Sequence, residues 1–512
     1  MSAALFDTSL PALPILLPLI GAVLCVFISG RGRAIGGLVF SGLTLISVIA
    51  LTGWLFQTET TDYRLGGWAA PLGIQLRVDG LACVFLLLTA LVGVPVGAYA
   101  VAFFARAETT VAGRAMFWPL WLFLWASLNG IFLSADLFNL YVLLEIMGLA
   151  AVSLAILSGK AAALRAGLRY FFAALVGSML YLLGVALIYG AAGTLDMGLL
   201  ARELPTDAFT VQVAFALMVV GLMIKTALFP LHFWLPEAHS SAPAPVSAIL
   251  SALVVKASFY LLLRLWVDVF DGAVPFAAGQ AIGVLGAVAV VWGSYQALRQ
   301  TQLKRMVAHS TVGQIGYLFL LFPLVTLSAD VVNDAPWVAH AWTGGIYQAL
   351  AHGFAKAAMF LAVGIFVLAV GNDHKDSVIN MVGRLPMTTF AFALAGISLI
   401  GLPPSGGFVA KWMLLKATFA SGQWWWAPMI VWGSFLTAGY VFMILRLAFA
   451  PSADAPAGRM HPVSRTLEVT ALVLGIGAIL IGFRAAEVMQ LLEIEAPFAE
   501  VVEAQTEGGT ND

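Results

Sequence analysis

Apolar residues run through this chain in long blocks separated by short polar stretches. A membrane-spanning helix needs about 20 apolar residues. Blocks of about that length or longer cover 11–29, 35–56, 80–104, 115–134, 137–158, 167–193, 209–235, 243–270, 276–298, 306–327, 337–370, 386–421, 424–449 and 467–492. The pattern predicts an all-α membrane protein with about fourteen transmembrane helices. A transmembrane barrel would instead show short alternating segments. The eleventh block is long enough to tilt or kink.

Composition agrees with that reading and removes other classes. Of 512 residues, 61% are hydrophobic and 10% charged, against about 25% charged in soluble domains. Too few polar residues exist to cover a water-facing surface, and disorder would need the opposite balance. With 25 Lys+Arg against 26 Asp+Glu, no basic excess exists to neutralise phosphates, so no nucleic-acid partner is expected. Cys25 and Cys83 lie inside apolar blocks and read as small hydrophobes. Two cysteines cannot hold an iron–sulfur cluster, and no phosphate-binding glycine loop is found. No cofactor or metal is expected, and any redox or nucleotide chemistry belongs on another polypeptide.

No basic residue precedes the first block, so it does not read as an ordinary cleaved signal. Loops after odd-numbered blocks carry Arg31, Arg33, Arg106, Arg114, Lys160, Arg165, Lys304, Arg305, Lys375, Arg384, Arg459 and Arg465. Loops after even-numbered blocks carry little beyond Arg64, Arg77 and Arg202. The positive-inside rule then puts odd loops in the cytoplasm and both termini outside. The acidic tail (Glu493, Glu495, Glu500, Glu503, Glu507, Asp512) fits that side, though it also reads as a plain solvated end.

Two breaks, each close to a lysine, stand out where prolines and glycines cluster. The seventh block runs KTALFPLHFWLPEAHSSAPAPVSAILS into the eighth, with Pro230 and Pro236 each removing an N–H donor; Pro243 and Pro245 then open the eighth. The twelfth contains GLPPSGGF, where Pro403, Pro404, Gly406 and Gly407 are expected to interrupt the helix. Irregular backbone at membrane depth persists only inside protein or beside water, and discontinuous helices mark ion sites in transporters. A kink that only shapes packing is the alternative for either break alone.

Ionisable residues sit within the apolar blocks: Glu145, Lys225, Lys256, Lys356 with His352 one turn before it, and Lys411 just after the second break. A charge at the bilayer centre costs about 2.5–3.5 kcal/mol on insertion scales. Such groups point by default to an ion or proton path. A buried lysine that gains and loses a carboxylate neighbour swings between holding and releasing a proton. A static Glu145–lysine ion pair is the competing reading, and Schiff-base attachment is open to any buried lysine. Lys304 and Lys416 lie near block ends and read as snorkelling to the interface. His232, His239, His309 and His352 titrate near neutrality and are relay candidates, although each alone also fits a hydrogen-bonded packing residue. Ser240, Ser241, Ser247, Ser251, Ser310 and Thr311 could hold water between them or bond helix carbonyls.

These segments resemble the antiporter-like membrane subunits shared by respiratory complex I and Mrp-type sodium/proton antiporters. The resemblance covers roughly the third to thirteenth blocks. It rests on Glu145, Lys225 in KTALFPLHFWLPEAHSSAPAPVSAILS, Lys256 in LVVKASFYLLLR, LKRMVAHSTVGQIGY, AHGFAKAAMFL, and Lys411 after LPPSGGF. It implies about fourteen helices with two inverted five-helix repeats, each with a broken helix. The organisation would be 1–114 (first three spans), 115–270 (first repeat), 271–450 (second repeat) and 451–512 (last span and acidic tail). Glu145 and Lys225 would form the switching pair of one half-channel, Lys256 the central relay, Lys356 a further relay and Lys411 the terminal proton carrier, with His239 a plausible relay. Gln314 stands where the family often has histidine, which leaves that step to water or His309. His309 stands where the family commonly has tyrosine. Gln302 replaces the usual acid before LKR, which weakens ionic pairing on that side. Some family members carry glutamate at the Lys411 position. Length and the lysine there make the D-type component of Mrp antiporters the nearest likeness.

The function this implies is that of a proton-translocating subunit in a multi-subunit monovalent cation (Na+ or K+)/proton antiporter of a bacterial inner membrane. Its partners would be other membrane subunits and the bilayer. It would be a transporter subunit rather than an enzyme. Two rivals use the same proton path: a non-redox pumping subunit of a complex I-type NADH-quinone oxidoreductase or membrane-bound hydrogenase, and a proton-conducting subunit of an inorganic-carbon uptake system. A membrane scaffold without transport is a third, against which the buried lysines argue.

Overall fold

Long apolar runs become helices because a backbone in hydrocarbon must satisfy its own N–H and C=O groups. The computed structural model describes residues 10–58, 61–106, 111–327, 335–451 and 460–495. Arg459 and the tail beyond Glu495 lie outside the described residues. The helices are α1 (Leu13–Phe27), α2 (Gly30–Thr58), α3 (Gly80–Phe104), α4 (Val111–Leu133), α5 (Leu137–Ala155), α6 (Ala161–Ala192) and α7 (Phe209–Thr226). They continue as α8 (Leu235–Ser241), α9 (Ala244–Val269), α10 (Phe276–Arg299), α11 (Leu303–Phe319), α12 (Trp337–Val370), α13 (Pro386–Ile400), α14 (Gly406–Ala420), α15 (Trp426–Ala448), α16 (Arg465–Phe483) and α17 (Ala485–Glu493). Among the described residues, thirteen helices are long and apolar enough to cross a membrane. The twelfth apolar block is instead divided into two helices, α13 and α14, of which α13 (Pro386–Ile400) is apolar but shorter than a full span, so thirteen full-length spans stand against the about fourteen expected.

The differences lie at the ends and breaks. The seventh apolar block is not one helix: α7 stops at Thr226 and helix resumes only at Leu235. The last block stops at Phe483, and Ala485–Glu493 forms a separate short helix. The eleventh block is an unbroken helix of 34 residues. The loop between α2 and α3 forms an antiparallel hairpin of β1 (Thr61–Arg64) and β2 (Gln75–Val78), which the pattern of long blocks conceals.

Burial sorts the helices. The most apolar window of α9 is enclosed throughout, and α11 and α12 are nearly so, whereas α2, α15 and α16 bury only about a third of theirs. Lys256 of α9 and Lys356 of α12 are therefore set by the centre of the bundle, not its rim. Close crossings use glycine: a Cβ at Gly221 would stand 2.4 Å from the Gly177 carbonyl oxygen, so α6 and α7 approach only because neither has a side chain there.

Loops segregate by parity. Even loops meet on one face, where Leu76 bridges Ser134 and Asp136 bridges Asp196. There the buried Arg264 of α9 is held by Asp79, by Asp268 at 3.0 Å and by the Tyr260 hydroxyl at 3.0 Å, while Arg77 reaches Glu495 at 2.9 Å. Odd loops meet on the other face: Arg33 donates to the Ala115 carbonyl, and Glu237 is contacted by Arg169 and Arg305. The acid that Gln302 does not supply comes from elsewhere. Asp373, beyond α12, accepts the Lys304 backbone N–H at 3.1 Å, and burial pushes its carboxyl above the usual range.

Candidate functional site

The first break follows from two prolines in different roles. Ala227 takes the left-handed conformation (φ 59°) and ends α7. Pro230 lies in the non-helical stretch, but Pro236 sits in the first turn of α8, where a missing N–H costs nothing. Pro236 therefore starts a helix and does not break one. The N–H of Leu228 turns to the Met223 carbonyl, and the Trp234 indole donates at 2.9 Å to the Ile224 carbonyl. Trp234 is itself stacked on Tyr170, ring centroids 4.2 Å apart. Lys225, in the last turn of α7, points at α5: its Nζ donates to the Leu144 carbonyl at 3.3 Å and stands 3.8 Å from Glu145 Oε1. The lysine side chain is 3% exposed and the glutamate 27%. The structure thus brings the two expected partners into ion-pair reach without a direct hydrogen bond.

The second break is a matter of arithmetic on carbonyls. In a continuous helix the Leu399 and Ile400 carbonyls would accept from the N–H groups of residues 403 and 404. Both are proline and have none. Lys411 Nζ takes both carbonyls, each at 3.0 Å, and adds the Ser434 hydroxyl at 2.9 Å. The ammonium also lies 4.3 Å from the Tyr317 ring centroid, a cation–π contact. Gly406 and Gly407 do not interrupt the helix as expected. They are the first residues of α14, whose N-cap is Ser405. Their role is close approach, since a Cβ on Gly407 would stand 1.8 Å from the Ser398 carbonyl oxygen.

Between the breaks lies a cluster with no exposure to speak of. Lys256 Nζ donates at 2.5 Å to the Ser251 carbonyl, within a π-helical stretch, Leu250–Val254. Wide turns of this kind recur at functional sites. The Ser251 hydroxyl meets Thr311 of α11 at 2.9 Å. Lys356 Nζ donates to the Val307 carbonyl at 3.1 Å and to the Ser310 hydroxyl. His239 and His352 stand among these two lysines. All four of their ring nitrogens lack a hydrogen-bond partner among the described residues. Lys256, Lys356 and Lys411 form no ion pair among the described residues.

Gln314 links this cluster to Lys411. Its Nε2 donates to the Leu399 carbonyl that Lys411 also uses and to the Thr437 hydroxyl, both at 3.3 Å, and its Oε1 accepts from Gln348 at 3.0 Å. His309 is elsewhere, half-buried beside His232 and Arg305. Of the other expected groups, Lys416 is exposed on the surface of α14. Lys304 is half-buried with its amine on the Ala242 carbonyl, so it is a tether between α11 and the start of α9. Ser247 donates to the His239 carbonyl at 2.6 Å, and Ser241 to the Glu237 carbonyl at 2.7 Å. Ser434, Thr437 and Gln348 are contacts that reasoning on charged residues alone passes over.

Comparison with known proteins adds the family. The profile described as NADH:quinone oxidoreductase/Mrp antiporter, TM, matches residues 134–437. That span contains Glu145, all four buried lysines, both breaks and the Gln314 link. The N-type subunit of NADH-quinone oxidoreductase from Desulforudis audaxviator is 35% identical over 449 residues, covering 85% of this chain and 87% of that protein. The D-type Na(+)/H(+) antiporter subunit of Bacillus subtilis is 30% identical over 481 residues, covering 91% and 93%. Among solved structures, a chain of the Mrp complex from Dietzia sp. superposes with a TM-score of 0.85 at 26% identity, covering 97% of this chain and 99% of that one. The chain therefore belongs to the NADH:quinone oxidoreductase/Mrp antiporter transmembrane family.

Proposed function

We propose that this chain is the proton-translocating subunit of a multi-subunit monovalent cation/proton antiporter. One observation carries the reading. Lys256, Lys356 and Lys411 are buried, have no carboxylate partner among the described residues, and are held by carbonyls, hydroxyls and, for Lys411, the Tyr317 ring. A buried ammonium without a counter-ion is costly, and a lysine can escape that cost by giving its proton away. A structural network would be expected to pair such charges. Glu145 and Lys225 form the one buried lysine–carboxylate contact among the expected groups, and at 3.8 Å it is loose enough to open and close. In this mechanism Lys225 and Glu145 switch at one half-channel, the Lys256/Lys356 cluster with His239 and His352 relays, and Lys411 exchanges with solvent through the second break. Residues 115–270 and 271–450 would be the two halves that carry these steps.

The partners are other membrane subunits, as in the Mrp complex of the structural relative, and the exchanged ion is Na+ or K+. The 35% identity to an NADH-quinone oxidoreductase subunit favours a second reading, in which the same path is driven by redox subunits. The test uses the purified complex with its partner subunits in proteoliposomes. Under the first reading an imposed Na+ or K+ gradient moves protons, and Lys225→Ala stops this while the complex still assembles. Proton movement that requires NADH oxidation and ignores cation gradients would establish the second reading. Normal exchange in an assembled Lys225→Ala complex would sink the path itself.

A further inference from the structure

One helix face carries a feature the charged residues do not reveal. Ser434, Thr437 and Tyr440 follow at three-residue steps on α15, so their hydroxyls descend one side of the helix. Each meets a different part of the site. Ser434 accepts from Lys411 Nζ at 2.9 Å. Thr437 accepts from Gln314 Nε2 at 3.3 Å. Tyr440, fully buried, has Ser310 and Gln314 as polar neighbours besides Thr437. Ser310 is the hydroxyl that holds Lys356. The ladder thus begins at the hydroxyl partner of Lys411 and ends beside Ser310, the hydroxyl partner of Lys356.

Ser434 and Thr437 donate their own hydrogens to the Ile430 and Gly433 carbonyls, at 3.1 and 2.8 Å. Back-bonding of that kind also occurs in hydroxyls with no other duty. Tyr440 differs: its side chain is too long to reach its own helix backbone, and no group meets its Oη in hydrogen-bond geometry among the described residues. Buried hydroxyls are nearly always partnered, and an exception calls for a reason. Gln314, beside it, cannot carry an extra proton.

We propose that the α15 hydroxyls, with Tyr440 as the essential member, conduct protons between Lys356 and Lys411, with water molecules as co-carriers between them. This rests on the proton-path reading above. A proton leaves Lys356 Nζ for the Ser310 oxygen as Ser310 releases its own hydroxyl proton toward Tyr440. Tyr440 Oη gains that proton and releases its own toward Thr437. The shift continues through Thr437 and Ser434 to the lone pair of neutral Lys411. Every hydroxyl forms one O–H bond and breaks one, so only the two lysines change charge. Rotation of the hydroxyls then resets the row.

The experiment measures cation-driven proton movement by the assembled complex in proteoliposomes, with Lys411→Ala as a control for the underlying reading. If Lys411→Ala transports normally, the proton-path reading fails; if it is inactive, the ladder is judged by the hydroxyl variants. Tyr440→Phe removes one oxygen and keeps the ring, so assembly should persist while the rate falls by at least about tenfold, the scale of a lost proton-transfer group. Gln314→His, added to Tyr440→Phe, places a titratable imidazole beside the gap and should restore most of the rate. A Tyr440→Phe rate within roughly twofold of wild type overturns the proposal. So does a loss that Gln314→His does not repair, which would assign Tyr440 to packing. Should Tyr440→Phe fail to assemble, Thr437→Val is read by the same criteria.

Discussion

Pro403 and Lys411 are joined by a missing atom: the proline has no N–H for the Leu399 carbonyl, and the lysine ammonium takes that carbonyl at 3.0 Å. Pro404 does the same for Ile400. The break therefore creates the cradle, and the cradle holds the Lys411 amine with no carboxylate in ion-pair reach among the described residues. Two functions are compatible with that geometry, a plug that caps loose carbonyls and a carrier that loads and unloads a proton. Arginine separates them, because guanidinium can cap carbonyls but does not deprotonate in proteins. We expect Lys411→Arg and Lys411→Ala both to abolish cation-driven proton movement in inverted vesicles while the complex assembles. Lys411→Glu, which keeps a titratable group, should retain part of the rate. Wild-type exchange in Lys411→Arg would leave Lys411 as a cap.

Glu145 should matter to transport far more than to folding. Lys225 Nζ is held by the Leu144 carbonyl at 3.3 Å, a bond that does not involve the carboxylate. Glu145→Gln therefore leaves the amine a partner and changes stability by less than about 1 kcal/mol, as for a weak, part-exposed ion pair. Its rate should nevertheless fall by about tenfold or more if the pair gates a proton. Thermal unfolding of the purified complex beside a transport assay checks both halves. A parallel loss of stability and rate would return the pair to a structural role.

Much of this was legible in the residues. Apolar run length located the thirteen full-length spans among the described residues because backbone hydrogen bonding in hydrocarbon leaves little choice. The lysines stood out because each interrupts an apolar run. What stayed hidden depended on three-dimensional neighbours. Pro236 looks like Pro230 in the sequence, yet one opens a helix and the other lies in a break. Gly406 and Gly407 look like breakers, yet they begin α14. The Ser434–Thr437–Tyr440 spacing was readable as a helical stripe, but nothing in a single sequence says that Lys411 and Gln314 face it. Asp373 could not be matched to Lys304 because 69 residues separate them.

The two glycines at the head of α14 should respond differently to alanine. A Cβ at Gly407 meets backbone, 1.8 Å from the Ser398 carbonyl oxygen, which can yield only if the break itself moves. A Cβ at Gly406 meets the Ile481 side chain at 2.5 Å, which can rotate away. Overpacking costs typically about 1–3 kcal/mol, so Gly407→Ala belongs at or beyond the top of that range and Gly406→Ala near the bottom. Membrane yield of folded protein and thermal stability in detergent test the order. Equal effects would show that the α13–α14 contact is softer than its geometry.

Asp79 should be a stability residue. It caps α3 by accepting the Ala82 N–H at 2.9 Å, and it holds Arg264, whose side chain is 6% exposed. Removing one partner of a buried pair strands the other, at about 3–5 kcal/mol. Asp79→Ala should therefore lower the unfolding temperature sharply. Asp79→Ala combined with Arg264→Met, which removes both charges, should recover part of the loss. No recovery would mean that the lost cap and the lost Arg264–Asp268 contact, not the stranded charge, dominate.

Topology is the last expectation, and it rests on the count of bases. Counting bases put odd loops in the cytoplasm, with Arg64, Arg77 and Arg202 as exceptions on the other face. Arg77 is engaged by Asp79, Asp268 and Glu495 at 3.4, 3.6 and 2.9 Å, which ties that face together without changing the count of bases. Single cysteines can read the two faces where the structure is described. Leu72, in the β1–β2 hairpin loop, is 85% exposed, and Asn372, just beyond α12 on the opposite face, is also exposed. The native Cys25 and Cys83 are fully buried and should stay silent. An impermeant maleimide on intact cells should label Leu72→Cys at once and Asn372→Cys only after lysis. Should Asn372→Cys label in intact cells while Leu72→Cys is protected, the molecule sits the other way up, and Lys411 would exchange protons with the opposite compartment.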